Sequence, residues 1–248
     1  MHAPGNERMN EAWIIDAART PRGIGKKGRG ALAEIHPQKI LSTVFRSLVE
    51  RTNISTSDID DVIVSCSHQF MKQGNCIGRM AALDAGFSIN ASGVTLDRFC
   101  GGGITSVNLG AATIMSGMED LIVAGGVEVM SYYREVEPPN TLDAGNIDLR
   151  EAHPQLSVGI AADVIASEEG FSRESLDAFS AESQRRAGAA LESGAFTRSL
   201  VPVYNSDGSL ALDTEQYPRP ATTAEQLGQL KPAFEAQMDM AFADSGMT

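Results

Sequence analysis

The stretch from Cys100 to Gly117 contains no charged residue; Ile104, Val107, Leu109, Ile114 and Met115 stand among Gly, Ala, Ser and Thr. A helix of that composition has no polar face to offer water, so it is expected to be covered on all sides. Its small residues let neighbouring elements approach closely. Short apolar runs flank it, Val94–Leu96 before and Leu121–Ala124 after. A buried helix between two short strands is the core unit of a layered α/β fold.

The upstream pattern extends that unit. Trp13–Ile15 reads as a first strand. Thr20–Gly30, rich in Gly, Pro and basic residues, reads as a loop. Apolar residues recur at helical spacing over 37–51 (Ile40, Leu41, Val44, Phe45, Leu48), which predicts a helix there. Val62–Val64, inside 61–65, predict a buried strand, and 75–85 a second helix. Strands and helices thus alternate, which argues for a mostly parallel sheet covered by helices.

After about residue 131 the character changes. Residues 132–155 are irregular and rich in Pro, Asn, Asp and Glu. Two helical patterns follow, 158–169 and 173–193; Ser172 is placed to cap the second and Gly194 to stop it. Residues 200–204 and 210–212 read as strands of a hairpin about the Ser206–Ser209 turn, and 223–230 as a short helix. The expected organisation is a loose tail over 1–10, an α/β core over 11–131, and an inserted, mainly helical subdomain over 132–248. The final residues, 238–248, are apolar-rich and stop in mid-pattern.

Composition narrows the function. The chain has 248 residues, 42% of them apolar and 21% charged, an ordinary globular balance. A net charge of −12 speaks against nucleic-acid or membrane-surface binding, which needs a basic face. There is no apolar run long enough to span a membrane and no leader-like segment near Met1. The three cysteines, Cys66, Cys76 and Cys100, lack CxxC spacing, so neither a disulfide framework nor a metal cage is expected. A reducing, cytoplasmic setting follows, with Cys66 and Cys76 as small buried packing residues.

Cys100 invites a different reading. It stands between a strand and the charge-free helix, where the positive end of the helix dipole favours a thiolate. Gly101, Gly102 and Gly103 follow it. Glycine inside a helix costs roughly 1 kcal/mol per residue, so three in succession need a reason. One is close approach of a ligand to backbone N–H groups able to hold an oxyanion. The other is close packing of helix on sheet, with Cys100 a buried residue. The residues alone leave both open. Gly23-Ile24-Gly25-Lys26-Lys27-Gly28 fits a dinucleotide-binding GxGxxG, but no helix is expected to start within it and no acidic partner follows at the right place.

Leu96-Asp97-Arg98-Phe99-Cys100-Gly101-Gly102-Gly103-Ile104 resembles the acyl-enzyme signature of the thiolases. Ala124-Gly125-Gly126-Val127-Glu128-Val129-Met130-Ser131 resembles the family's AGGxExMS segment, and Arg19-Thr20-Pro21 its RTP. Ser172-Arg173-Glu174, Ser183–Ala187, Val201–Val203 and Leu230-Lys231-Pro232-Ala233-Phe234 resemble parts of its loop domain. The resemblance implies a thiolase-like α/β fold, N-terminal half, with an inserted coenzyme A-binding subdomain. It implies an acyltransferase that condenses acetyl-CoA or cleaves 3-ketoacyl-CoA through an acyl-cysteine at Cys100. The Cys100 N–H would donate to the acyl oxygen, Arg219 would lie against the adenine of coenzyme A, and Phe234 would line the pantetheine tunnel. Acyl-CoA enters as substrate, and no permanently bound cofactor or metal is expected.

The sequence departs from the family pattern in several places. Gly102 stands where a Ser is usual, Asp97 where an Asn is usual, and Ser157-Val158-Gly159 where His-Met-Gly often lines the acyl pocket. His153 is expected to be a solvated loop residue. The family's second α/β half, with its His base, its NEAF Asn and a second Cys, has no counterpart among His2, His36, His68, His153 and the segments around them. The chain is therefore expected either to be a fragment of a longer enzyme or to have that half supplied by a second chain, with little activity from this chain alone; the resemblance also implies a homo-oligomer. The alternative is a non-catalytic subunit that binds coenzyme A or acyl-CoA and scaffolds a partner.

Overall fold

The computed structural model of the chain describes residues 11–132 and 142–235. The expected tail, part of the irregular segment after residue 131 and the apolar end lie outside them. The described residues form two compact units, one from 11–132 and 196–217, the other from 142–195 and 218–235. A boundary drawn by composition near residue 131 does not separate 196–217, which packs with the first unit.

The first unit is built on three parallel strands in the order β2-β1-β3: β1 Asp61–Ser65, β2 Val94–Leu96 and β3 Ile122–Gly126. Ser65 lies opposite both Leu96 and Gly126, so all three strands end at one edge. Val62, Ile63 and Val64 are all buried, as a central strand covered on both faces requires. Helix α1 (Pro37–Thr52) starts with Pro37 at its first turn behind the His36 cap and ends at Asn53 in the left-handed region. Leu41 and Phe45 of α1 join Val62, Val64, Ile77, Ala81, Ala82 and Phe87 in one core, where the Phe45 and Phe87 rings lie 5.4 Å apart. Helix α2 (Ile77–Asp84) supplies part of that cluster.

Successive strand residues face opposite ways. A side chain at Gly78 of α2 would meet Val64, whereas one at Gly102 of α3 (Gly102–Ser116) would meet Ser65. The two helices therefore cover opposite faces of the sheet. A second core cluster joins Leu32, Ile40 and Val129 to Val203 and Leu212 of the hairpin β4 (Val203–Tyr204) and β5 (Leu210–Leu212).

In the second unit, helices α5 (Val158–Glu168) and α6 (Arg173–Glu192) start at the caps Ser157 and Ser172. Helix α7 (Ala224–Gly228) opens with a reciprocal capping box between Thr223 and Gln226. Arg173 ties α6 to α7, donating to the Leu227 and Leu230 carbonyls at 2.7 and 3.1 Å while paired with Asp177.

Four expectations need correction. Trp13–Ile15 forms no strand and is exposed; a strand needs a partner ladder, and this segment pairs with none among the described residues. Helix α4 (Ile147–Ala152), capped by Asn146, falls in the segment read as irregular; six residues are too short to show a period. Cys76 is half-buried and caps α2 with positive φ, so it is not a core residue. The charge-free helix α3 is not covered all round: Gly102, Ser106 and Gly110 form its buried stripe, while Ile104, Val107, Leu109 and Met115 are exposed. Among the described residues, no helix is long and apolar enough to cross a membrane.

Candidate active site

Functional groups of open parallel sheets gather beyond the carboxyl ends of the strands. Cys100 sits there, four residues past the end of β2. Asp97 and Arg98 leave the strand, and Phe99 adopts a left-handed conformation with φ 46°. For a residue with a side chain that conformation costs roughly 1–2 kcal/mol. Phe99–Gly101 then form a single 3-10 turn that leads straight into the 15-residue α3. The chain reverses sharply from strand to helix, and Cys100 is exposed at the helix's positive end.

Backbone bonds of the turn occupy some amides and spare one. Gly101 N–H donates to the Arg98 carbonyl at 3.1 Å, and Gly102 N–H to the Phe99 carbonyl. Phe99 N–H donates to the Asp97 carboxylate at 2.7 Å. The Cys100 N–H takes no part in these bonds of the turn.

The three glycines divide in function. Gly102 is a packing residue, since a Cβ there would fall on the Ser65 side chain. A larger residue at this position would have to displace the Ser65 side chain. A Cβ on Gly103 would meet nothing within 4 Å, and one on Gly101 would only graze Arg98 at 3.9 Å. Packing thus accounts for one of the glycines and leaves the backbone on either side of it open.

The other two thiols contrast with Cys100. Burial, reinforced by the Glu128 carboxylate, pushes the Cys66 thiol up to about 12. Cys76 donates to the Gly93 carbonyl at 3.4 Å. Cys100 alone of the three is exposed.

A polar network braces the same edge of the sheet. Glu128, just beyond β3, accepts from Ser67 N–H at 2.9 Å and from the fully buried Gln73 amide at 2.8 Å, with His68 Nδ1 at 3.4 Å. Gln73 also accepts from Val129 N–H at 2.6 Å and donates to the His68 carbonyl at 3.0 Å. This network ties the segment after β1 to the segment after β3. Sequence reading missed it: Glu128 lies within a quoted motif, but nothing local to Gln73 announces a partner 55 residues away.

Arg219 and Phe234 belong to the second unit. Arg219 is exposed, and its backbone N–H donates to Gln184 of α6 at 2.6 Å. Phe234 is half-buried, and its ring lies so close to Gly159, in the first turn of α5, that a Cβ there would collide with it. The structure thus brings Phe234 to the Ser157-Val158-Gly159 segment and sets Arg219 beside α6. His153 is exposed just after α4. No group of His, Cys, Asp or Glu able to hold a metal occurs among the described residues.

Comparisons with known proteins bear on the family. The family described as Thiolase, N-terminal domain matches residues 12–244. An acetyl-CoA acetyltransferase of Thiocystis violacea is 35% identical over 240 residues, covering 90% of this chain and 59% of that protein. A steroid 3-ketoacyl-CoA thiolase of Mycobacterium tuberculosis is 35% identical over 246 residues, covering 93% and 58%. A 3-ketoacyl-CoA thiolase of Bacillus subtilis is 31% identical over 253 residues, covering 97% and 63%. The chain therefore spans about three fifths of the length of these relatives. With a parallel sheet, a cysteine at the start of a helix that covers one face of it and a match over nearly its whole length, the chain belongs to the thiolase family and corresponds to that family's N-terminal domain.

Proposed function

We propose that this chain provides the acyl-accepting part of a thiolase, with Cys100 as nucleophile. The Cys100 sulfur attacks the carbonyl carbon of an acyl-CoA thioester. A new S–C bond forms, and the oxygen gathers negative charge where the Cys100 N–H can donate to it. Collapse breaks the bond to the coenzyme A sulfur, which leaves and takes up a proton. The acyl-cysteine then passes its acyl group to an acetyl-CoA carbanion, or in reverse to a free coenzyme A thiol. The observation that carries this reading is the exposed thiol at the start of α3, beside an amide that the turn leaves unused and two glycines that packing does not demand.

Arg219 is assigned to the adenine end of coenzyme A, where a guanidinium plane can stack on a ring and pair with phosphate. Phe234, set against Gly159, is assigned to the wall of the pantetheine tunnel, with the second unit as the coenzyme A-binding part. A cytoplasmic setting fits, because a nucleophilic thiol must be kept reduced. The base and second acid that finish the reaction belong to a thiolase C-terminal half, whether continuous with this sequence or carried by a second chain. That assignment is supported by the exposed apolar side chains of α3, a surface of the kind that marks an interface.

Acetyl-CoA incubated with the chain, quenched in acid and digested, tests the reading. One acetyl group on the Cys100 peptide, absent from the Cys66 and Cys76 peptides, is the expected result. Binding of acetyl-CoA with no acetyl transfer, and with Cys100 alkylated by iodoacetamide no faster than Cys76, would instead favour a non-catalytic acyl-CoA-binding subunit.

A further inference from the structure

We propose that Asp97 is the positioning residue for Cys100, acting through the left-handed Phe99. This rests on the reading of Cys100 as nucleophile. The turn between β2 and α3 hinges on Phe99, whose φ of 46° a residue with a side chain adopts only when something holds it. No packing holds it, because Phe99 is 62% exposed. The contact that does hold it is the bond from Phe99 N–H to Asp97 Oδ1, at 2.7 Å. A side-chain oxygen accepting from the amide two residues ahead closes a turn much as a backbone carbonyl would. Because the acceptor is ionised, the bond is stronger than one between neutral groups.

The consequence falls on the next residue. Phe99 fixes the direction in which the chain enters the 3-10 turn, and Gly101 and Gly102 N–H close that turn onto Arg98 and Phe99. Cys100 lies inside the closed turn, so its sulfur and its amide are aimed by the Asp97 contact. If Phe99 relaxes to negative φ, the turn opens and Cys100 loses its place at the helix mouth. Asp97 does not touch the reacting atoms; it sets where they are.

Two separate properties of Asp97 must be distinguished, its charge and its acceptor oxygen. Asp97→Asn removes the charge and keeps the acceptor; Asp97→Ala removes both. Comparing these two variants isolates the acceptor. A second comparison isolates Phe99: glycine takes positive φ freely, so Phe99→Gly in the Asp97→Ala background should let the turn form without its tether.

The experiment measures iodoacetamide alkylation of Cys100 by peptide mass spectrometry, in the native chain and in urea, with circular dichroism to verify folding. The native-to-unfolded rate ratio reports activation by the fold. A wild-type ratio at or below one overturns the nucleophile reading itself, separately from the role of Asp97. With the ratio above one, Asp97→Ala is expected to fall about tenfold below Asp97→Asn, the factor expected of a lost hydrogen bond to a charged or strongly polar acceptor. Asp97→Ala with Phe99→Gly is expected to return to the Asp97→Asn level. Equal ratios for Asp97→Ala and Asp97→Asn, or failure of Phe99→Gly to restore the loss, would overturn the positioning role. Should Asp97→Ala fail to fold, the wild type and Phe99→Gly with Asp97→Ala still decide it, because the tether is dispensable only if Phe99 is its target.

Discussion

At the scale of single residues, two positions around the candidate site carry opposite lessons about glycine and cysteine. Replacing a helical glycine usually stabilises, by up to about 1 kcal/mol. At Gly102 that gain is outweighed, because the new Cβ falls on Ser65 in the sheet below. Overpacking of this kind costs about 1–3 kcal/mol. Gly102→Ser is therefore expected to lower the urea midpoint, and Gly102→Ser combined with Ser65→Gly to recover most of the loss. Cys66 makes a prediction about pH. Its thiol is raised from 9.0 to about 12 by burial first and by Glu128 second. The folded state holds that proton more tightly than the unfolded one, so the stabilisation is complete below pH 9 and is lost as pH rises toward 12. Thermal melts across that window should fall less steeply for Cys66→Ala than for the wild type. Of these features, the sequence displays Cys100 openly, since its glycines and flanking strand are contiguous with it. Ser65 is silent, because its bearing on Gly102 exists only once β1 and α3 are stacked.

At the scale of elements, legibility follows the strength and length of the local pattern. Helix α1 and strands β1 and β2 lie where periodicity and β-branched runs place them, to within a residue. Trp13–Ile15 shows the limit: an apolar run specifies a preference for burial, while a strand also requires a partner to complete its backbone bonds. The join between the segment carrying Arg19-Thr20-Pro21 and the segment after β5 is a second case that no local pattern announces. Glu215, whose side chain is fully buried, pairs with Arg19 and Arg22 and accepts from the Arg22 N–H at 2.9 Å. Gln216 accepts from Ile24 N–H and Ala31 N–H at 3.1 and 3.0 Å. Burial alone would raise the Glu215 carboxyl, but the Arg22 amide and the two guanidiniums prevail and hold it below its ordinary value. A depressed carboxyl stabilises the fold above its unfolded value of 4.5 and loses that effect as pH falls through the folded value. Glu215→Gln should cost about 1.5–3 kcal/mol at neutral pH, and the difference from wild type should shrink in acid. Paired urea titrations at neutral and acid pH read both effects; a difference independent of pH would show that the charge has no part.

At the scale of the molecule, the charge-free helix poses the remaining question. Its sheet-facing stripe is made of Gly102, Ser106 and Gly110, residues too small to bury much apolar area. The larger side chains face away: Ile104 is 72% exposed, and Val107, Leu109 and Met115 are each more than two fifths exposed. The hydrophobic effect acts on area removed from water, at about 25 cal/mol per Å², so this arrangement leaves most of the helix's apolar gain unrealised within the described residues. Exposed apolar side chains gathered as Ile104, Val107 and Met115 are on one side of a helix mark a surface that another element covers. The isolated 248-residue chain should therefore bind the dye ANS and self-associate, with a sedimentation coefficient that rises with concentration. Ile104→Lys with Met115→Lys should suppress both while leaving the helical circular dichroism unchanged, because neither side chain contributes to the buried stripe. A concentration-independent monomer without dye binding would mean that the face is satisfied within the chain itself, and the assignment of the thiolase C-terminal half to that surface would fall with it.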